Sequence, residues 1–257
     1  NKLKTQIQNK KVVPFVGAGL SKFAGYPLWN EFLTEVYKRK ISDIVKKKNN
    51  FEDLTLEKKA SFLREQRGKA NFIGDLEEFF SNKNLDNEQL KEQPIYLFPK
   101  IFKELILTTN YDNVIEKAFH KQNILINTYS HINERQIKSV IQNGDKQLIY
   151  KIHGSIDDPD SIILTEENYN EAYRKNSPLV NVLTDCMKGK NLLFLGCSLL
   201  NDRTISFWKS ISVDGLYHYT IYPCDKDEID EISKILGDMN IYPIFIPKNQ
   251  FHYINII

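Results

Sequence analysis

The stretch Val12-Val13-Pro14-Phe15-Val16-Gly17-Ala18-Gly19-Leu20-Ser21 constrains this chain more than any other. An apolar run stops at Gly-Ala-Gly and gives way to a hydroxyl residue and, from about Trp29, a helical pattern. That order describes a buried parallel strand running into a tight turn and a helix N-terminus. Gly17 and Gly19 lack a Cβ and can adopt positive φ, so an anion such as a diphosphate can come close to the backbone N–H groups. Ser21 can add a hydroxyl donor. A Gly-x-Gly pair without a third glycine is also what a strand-to-helix turn with no ligand looks like.

With 257 residues, 41% of them hydrophobic, the chain can bury a core as one large domain or a domain with an insertion. Thirty-five Lys and Arg nearly balance 33 Asp and Glu, which gives no argument for a nucleic-acid or membrane partner. Cys186, Cys197 and Cys224 are too few and too scattered for a disulfide framework or a zinc site. They fit a reduced, cytoplasmic setting. The longest apolar run, 192–200, is interrupted by Gly196 and Cys197 and falls well short of the roughly 20 residues of a membrane helix. No signal peptide is visible. The first residue is Asn1 rather than Met, so the chain is expected to be trimmed and to be part of a longer protein.

Residues 2–10 read as a polar helix or arm. From Trp29 to Val45, apolar residues recur at helical spacing, with the basic runs 38–40 and 46–48 as the solvated side and end of that helix. Residues 50–104 hold no convincing strand. Amphipathic helices are expected at 56–66, 73–80 and 88–105, so about 30–104 forms a helical insertion between the first and second strands. Strands follow at 105–109, 124–129, 147–153, 191–196, 217–222 and 241–246. Helices are expected at 114–120, 165–174, 179–187, 202–210 and 226–236. This alternation predicts an α/β fold: a doubly wound, Rossmann-like parallel sheet with a helical insertion, all within one domain spanning 1–257.

In such a sheet, ligands bind beyond the carboxyl ends of the strands, where the strand order reverses. Four predicted strands end there in small or polar residues: 17–21 (GAGLS), 108–112 (TTNYD), 153–155 (HGS) and 196–198 (GCS). Each has a plain structural alternative. Asn110 and Asp112 can cap the helix that starts near Val114. His153 can be a hydrogen-bonded structural histidine. The Gly196 turn can be strand-end punctuation. For the site to vanish, all these alternatives must hold together.

The ordered set GAGLS (17–21), TTNYD (108–112), KIHGS (151–155) and LGCSL (195–199) resembles the sirtuin-type NAD-binding domain over nearly the whole chain. The four zinc cysteines of the protein deacylases are missing, and the sirtuin TQNID signature appears as TTNYD. With GCSLLNDRT (196–204), the pattern is similar to the sirtuin-like effector domains of prokaryotic antiviral systems, which hydrolyse NAD and kill or arrest the infected cell.

The resemblance implies that Ala18, Gly19 and Ser21 bind the NAD diphosphate, with Gly17, Thr109 and Gly154 in the same cofactor-binding set. Asn110 would hold the attacking water or the leaving nicotinamide, Asp112 would bond the carboxamide or fix its loop, and His153 would accept a proton. Gly196 and Ser198 would line the adenosine side. Asp202 is a weaker candidate, because an N-cap role explains it equally well. The expected activity is NAD glycohydrolysis to nicotinamide and ADP-ribose, with no metal. A non-catalytic NAD or ADP-ribose sensor, and a deacylase or ADP-ribosyltransferase, are the alternatives. The resemblance further implies control by homo-oligomerisation or by a sensing partner such as an ATPase, an Argonaute-type protein or a phage protein.

Overall fold

A run such as Val12–Val16, with no polar alternation, suits a strand covered on both faces, and all five of its residues are buried. The computed structural model describes residues 2–47, 50–81, 87–143, 147–199 and 216–248. Its strands are β1 (Val12–Val16), β2 (Leu105–Thr108), β3 (Asn127–Ser130), β4 (Leu148–Lys151), β5 (Asn191–Leu195), β6 (His218–Pro223) and β7 (Ile241–Ile246). All pair in parallel, in the order β3-β4-β2-β1-β5-β6-β7. The expected doubly wound parallel sheet is therefore present. From β1 the chain winds out to one edge through β2, β3 and β4, then crosses to the other side of β1 with β5. That reversal opens the crevice where such sheets bind ligands. Pro14 has no N–H to give, and β1 pairs with β2 only from Phe15 onward.

Helices α1 (Lys2–Gln8), α2 (Trp29–Lys40), α3 (Asp43–Lys46), α4 (Leu56–Arg67), α5 (Lys69–Phe80), α6 (Asn87–Lys91) and α7 (Phe98–Ile101) precede β2. They are followed by α8 (Val114–His120), α9 (Glu134–Asn143), α10 (Glu166–Ala172), α11 (Pro178–Met187) and α12 (Ile229–Gly237). The period of two along each strand sorts the core into two layers. Val12, Val16, Ile106, Ile149 and Leu193 pack with Phe32, Val36, Leu63, Phe98 and Phe119 on one face. Val13, Phe15, Leu107, Tyr150 and Phe194 pack with Ile137, Leu179, Val182 and Leu236 on the other.

Among the described residues, everything between β1 and β2 is helical or loop, in line with the expected insertion. The boundaries differ for identifiable reasons. The helix expected over 29–45 ends at Lys40, because Ile41 is extended (φ −100°, ψ 135°), and a single turn restarts at Asp43. The helix expected over 88–105 is divided by Pro94 and Pro99 into α6, a 3-10 turn (Pro94–Leu97) and α7. β3 begins three residues later than expected, after Asn123 turns the chain with φ 56° and Ile124 N–H closes onto Phe119 O. Helix α9 has no counterpart among the expected elements, although two neighbouring parallel strands require a crossover between them. The helix expected over 202–210, and Asp202 with it, lie outside the described residues.

The glycine turn differs most instructively. Gly17 has φ −111°, and the positive angles fall on Gly196 (66°) and Gly154 (91°) instead. Gly17 N–H donates to Leu195 O and Gly19 N–H to Gly196 O, both at 2.9 Å. A Cβ on Gly17 would sit 2.6 Å from Gly196 O, and one on Gly196 would sit 2.6 Å from Leu20 N. The glycines let the turns after β1 and β5 lie directly on each other, so those two N–H groups are not the free donors expected for a diphosphate. Gly196→Ala is expected to lower stability by about 2–3 kcal/mol, read by urea denaturation, through the left-handed backbone and the contact with Leu20.

Candidate active site

The carboxyl ends of β4, β2, β1 and β5, four consecutive strands of the sheet, surround a cavity of about 250 Å³. Gly17, Ala18, Gly19, Thr109, Asn110, Asp112, His153, Gly196 and Ser198 all line it. Two expected residues do not. Ser21 is buried beneath the lining, where its hydroxyl donates to Asp112 Oδ1 (3.0 Å) and accepts from Asn110 Nδ2 (3.1 Å). It orients the two residues rather than facing a phosphate. Gly154 turns the chain behind His153, where a Cβ would fall 2.2 Å from Ser161 O. Ala18 opens the 3-10 turn Ala18–Ala24, a position whose N–H has no acceptor within its own turn.

Asn110 is 5% exposed and held from three sides. Thr108 Oγ1 donates to Val16 O and accepts from Asn110 N–H, both at 3.0 Å, which ties the start of the loop to β1. Asn110 Nδ2 donates to Gly17 O (3.3 Å) as well as to Ser21. Its Oδ1 has no partner among the described residues. Asp112 Oδ1 also accepts from Val114 N–H at 3.0 Å, at the start of α8. Asp112 thus both bonds the start of α8 and lines the cavity. Burial pushes the Asp112 carboxyl up from its ordinary range, against the Val114 N–H, Lys151 and Ser21, which pull it down.

His153 is enclosed by aromatic rings. Its Nε2 lies 2.7 Å from the Tyr173 hydroxyl and its Nδ1 lies 3.3 Å from the Tyr169 hydroxyl. Burial, with a smaller contribution from His131, pushes its pKa down to about 3, so the imidazole is neutral at pH 7. Tyr169 is stacked between Trp29 and Tyr173, with centroids 5.7 Å away on both sides. Trp29, Asn30, Leu56 and Phe80 bring the helical insertion over the sheet edge as one wall of the cavity. Phe80 meets the ring of Tyr111 edge-on, and the Tyr111 hydroxyl donates to Ile163 O at 2.8 Å.

The sequence reading placed Trp29 on a helix face and gave no site role to Phe80, Tyr169 or Lys151. Helical periodicity carries the same apolar signal for a core wall and a pocket wall, so nothing local separates them. The cavity combines apolar and aromatic walls with a few fixed polar groups and a neutral imidazole, and among the described residues it holds no pair of free carboxylates. That suits a flat heteroaromatic group joined to a polar one, and chemistry that relies on positioning. Among the described residues, no group of three His, Cys, Asp or Glu is placed to hold a metal ion, and no helix is long and apolar enough to cross a membrane.

A family profile described as a SIR2-like domain matches residues 104–244. The chain is 26% identical over 236 residues to the NAD(+) hydrolase ThsA of Bacillus cereus (strain MSX-D12), covering 89% of this chain and 46% of that protein. It is 25% identical over 218 residues to the NAD(+) hydrolase ThsA of Acinetobacter baumannii (strain 532279), covering 79% and 39%. Against the defense-associated sirtuin 2 of Bacillus subtilis it is 27% identical over 196 residues, covering 75% and 18%. The chain thus spans less than half the length of each of these relatives.

Proposed function

The chain belongs to the SIR2-like domain family, and from that premise we propose that its pocket binds NAD and hydrolyses the bond between nicotinamide and ribose. One observation carries the reading. Asn110 and His153, which follow separate strands, line one pocket at the switch point of a parallel sheet. The names of the matched NAD(+) hydrolases supply the substrate.

The balance is NAD⁺ plus water to nicotinamide, ADP-ribose and a proton. The pyridinium of NAD leaves as neutral nicotinamide, so no strong acid is needed, and positive charge moves onto the ribose as in glycoside hydrolysis. Asn110, fixed by Gly17 O and Ser21, orients the ribose or the attacking water. Water that attacks such a cation becomes strongly acidic and gives up its proton to a weak acceptor. The neutral His153 serves as that acceptor once it exchanges a tyrosine hydroxyl for the substrate side. Asp112 fixes the Asn110 loop, the Ala18 N–H meets the diphosphate, and Gly196 and Ser198 face the adenosine side.

The cavity, about 250 Å³ and partly open, would take one end of a dinucleotide and let the rest extend beyond it. The enzyme would be restrained until it self-assembles or meets a sensing partner. Its setting would be the cytoplasm, in keeping with three cysteines that form no disulfide. Its role would be depletion of NAD as an antiphage, abortive-infection effector; among the proteins it resembles are an NAD(+) hydrolase and a defense-associated sirtuin.

The test is NAD turnover by the full-length protein in ¹⁸O-labelled water. ADP-ribose carrying one ¹⁸O is expected. Nicotinamide release with ADP-ribose attached to protein would replace hydrolysis by transfer, and binding without cleavage would leave a sensor.

A further inference from the structure

Lys151 closes β4 with no exposure to solvent, an unusual place for a lysine. Its Nζ lies 2.7 Å from Asp112 O, 2.6 Å from Asn113 Oδ1, 3.3 Å from both Tyr111 O and Ser155 Oγ, and 3.0 Å from Glu116 Oε1. Four of these five oxygens belong to residues 111–116, the segment that begins just after Asn110. The fifth, on Ser155, lies two residues beyond His153. Lys151 thus joins the two loops that carry the proposed reacting pair, and it stands in register with Thr108 on β2, just ahead of that segment.

Tyr111 O already accepts from Ile156 N–H at 3.1 Å, so Lys151 adds a second donor there while also serving Asp112 O, Asn113 Oδ1 and Ser155 Oγ. Buried carbonyls without donors are costly, and an ammonium group can serve several at once where a neutral donor serves one or two. Glu116, 8% exposed, balances the charge through Oε1, while its Oε2 has no partner among the described residues. A carboxylate left partly unsatisfied contributes little packing of its own. Its place beside Lys151 fits a counter-ion for a cation needed elsewhere.

We propose that Lys151 is a positioning residue that sets Asn110 against His153 by holding the carbonyls of residues 111–112 to the end of β4. Its catalytic consequence rests on the NAD-cleavage reading above; its structural consequence does not. Lys151→Met removes the donors and keeps the length, and adding Glu116→Gln removes the carboxylate left behind.

Hydrogen exchange followed by mass spectrometry on the full chain should show the 110–114 amides exchanging at least about 10-fold faster in both variants, with β1 and β5 unchanged. In the activated enzyme, kcat should fall about 10–100-fold with KM within about threefold, as a misplaced group predicts. The double variant should recover thermal stability but neither kcat nor protection. A double variant that regains protection of 110–114 would overturn the proposal, and so would wild-type kcat in that variant. Should Lys151→Met alone fail to fold, the double variant carries the same test. Wild-type protein that never cleaves NAD would remove the NAD reading, while the exchange result would still decide the role of Lys151.

Discussion

Asn110→Ala is expected to lower NAD cleavage by about 10²–10³-fold in kcat, the loss seen when one preorganised polar group is removed from a reacting centre. The substitution deletes the amide that bonds Gly17 O and Ser21 and leaves the rest of the pocket wall in place. Two lost hydrogen bonds, one to a buried carbonyl, should cost about 1–3 kcal/mol of stability, short of unfolding a domain of this size. Steady-state kinetics beside calorimetric titration with ADP-ribose separates the two effects. Weak turnover with binding within a few-fold of wild type places Asn110 in the reaction. Parallel loss of both reduces it to a prop for the turn after β1.

The second large effect concerns acid. His153 and His218 are buried, and burial holds their pKa values near 3 and 4, below the ordinary value of 6.5. The cause at His218 is visible: Leu192 N–H donates to Nδ1, so the ring proton sits on Nε2, which has no partner among the described residues, and a second proton would displace the backbone bond. Both rings are neutral when folded and bind protons more readily when unfolded. The stability they contribute is complete above pH 6.5 and drains away as pH falls toward the folded values. At pH 5 the loss is about 2 kcal/mol for each histidine. Asp112 and Glu116, which burial pushes up, act in the opposite sense, so the comparison is best made against a variant. His218→Asn preserves an acceptor for Leu192 N–H. Its stability gap from wild type, measured by urea denaturation, should shift by about 2 kcal/mol between pH 7 and pH 5 in favour of the variant. A constant gap would show that His218 titrates normally.

The strand ends were legible because they are local: an apolar run that stops at Gly, Asn or His announces itself without knowledge of its neighbours. Parallel pairing then brings 17–19, 109–112, 153 and 196–198 to one edge, and nine of the eleven expected residues line one cavity. What escaped was everything that depends on contact. Gly17 and Gly196 looked like room for a ligand and proved to be room for each other. Ser21 looked like a phosphate donor, but its hydroxyl is spent between Asn110 and Asp112. His153 appeared as a proton acceptor, and only the burial of its ring reveals how far its pKa falls. Trp29 and Tyr169 were absorbed into helix faces, since no sequence pattern tells which buried aromatic will face a cavity. Lys151 stood inside a quoted motif without a role, because a lysine at a strand end ordinarily points to water.

The most direct measurement of the central claim is a mass balance on NAD incubated with the activated full-length protein, wild type beside His153→Ala. Nicotinamide and ADP-ribose should appear in equal amounts as NAD disappears, with the rate falling sharply in the variant. NAD that binds and stays intact under every activating condition would contradict the account and leave the pocket as a nucleotide-binding site without chemistry.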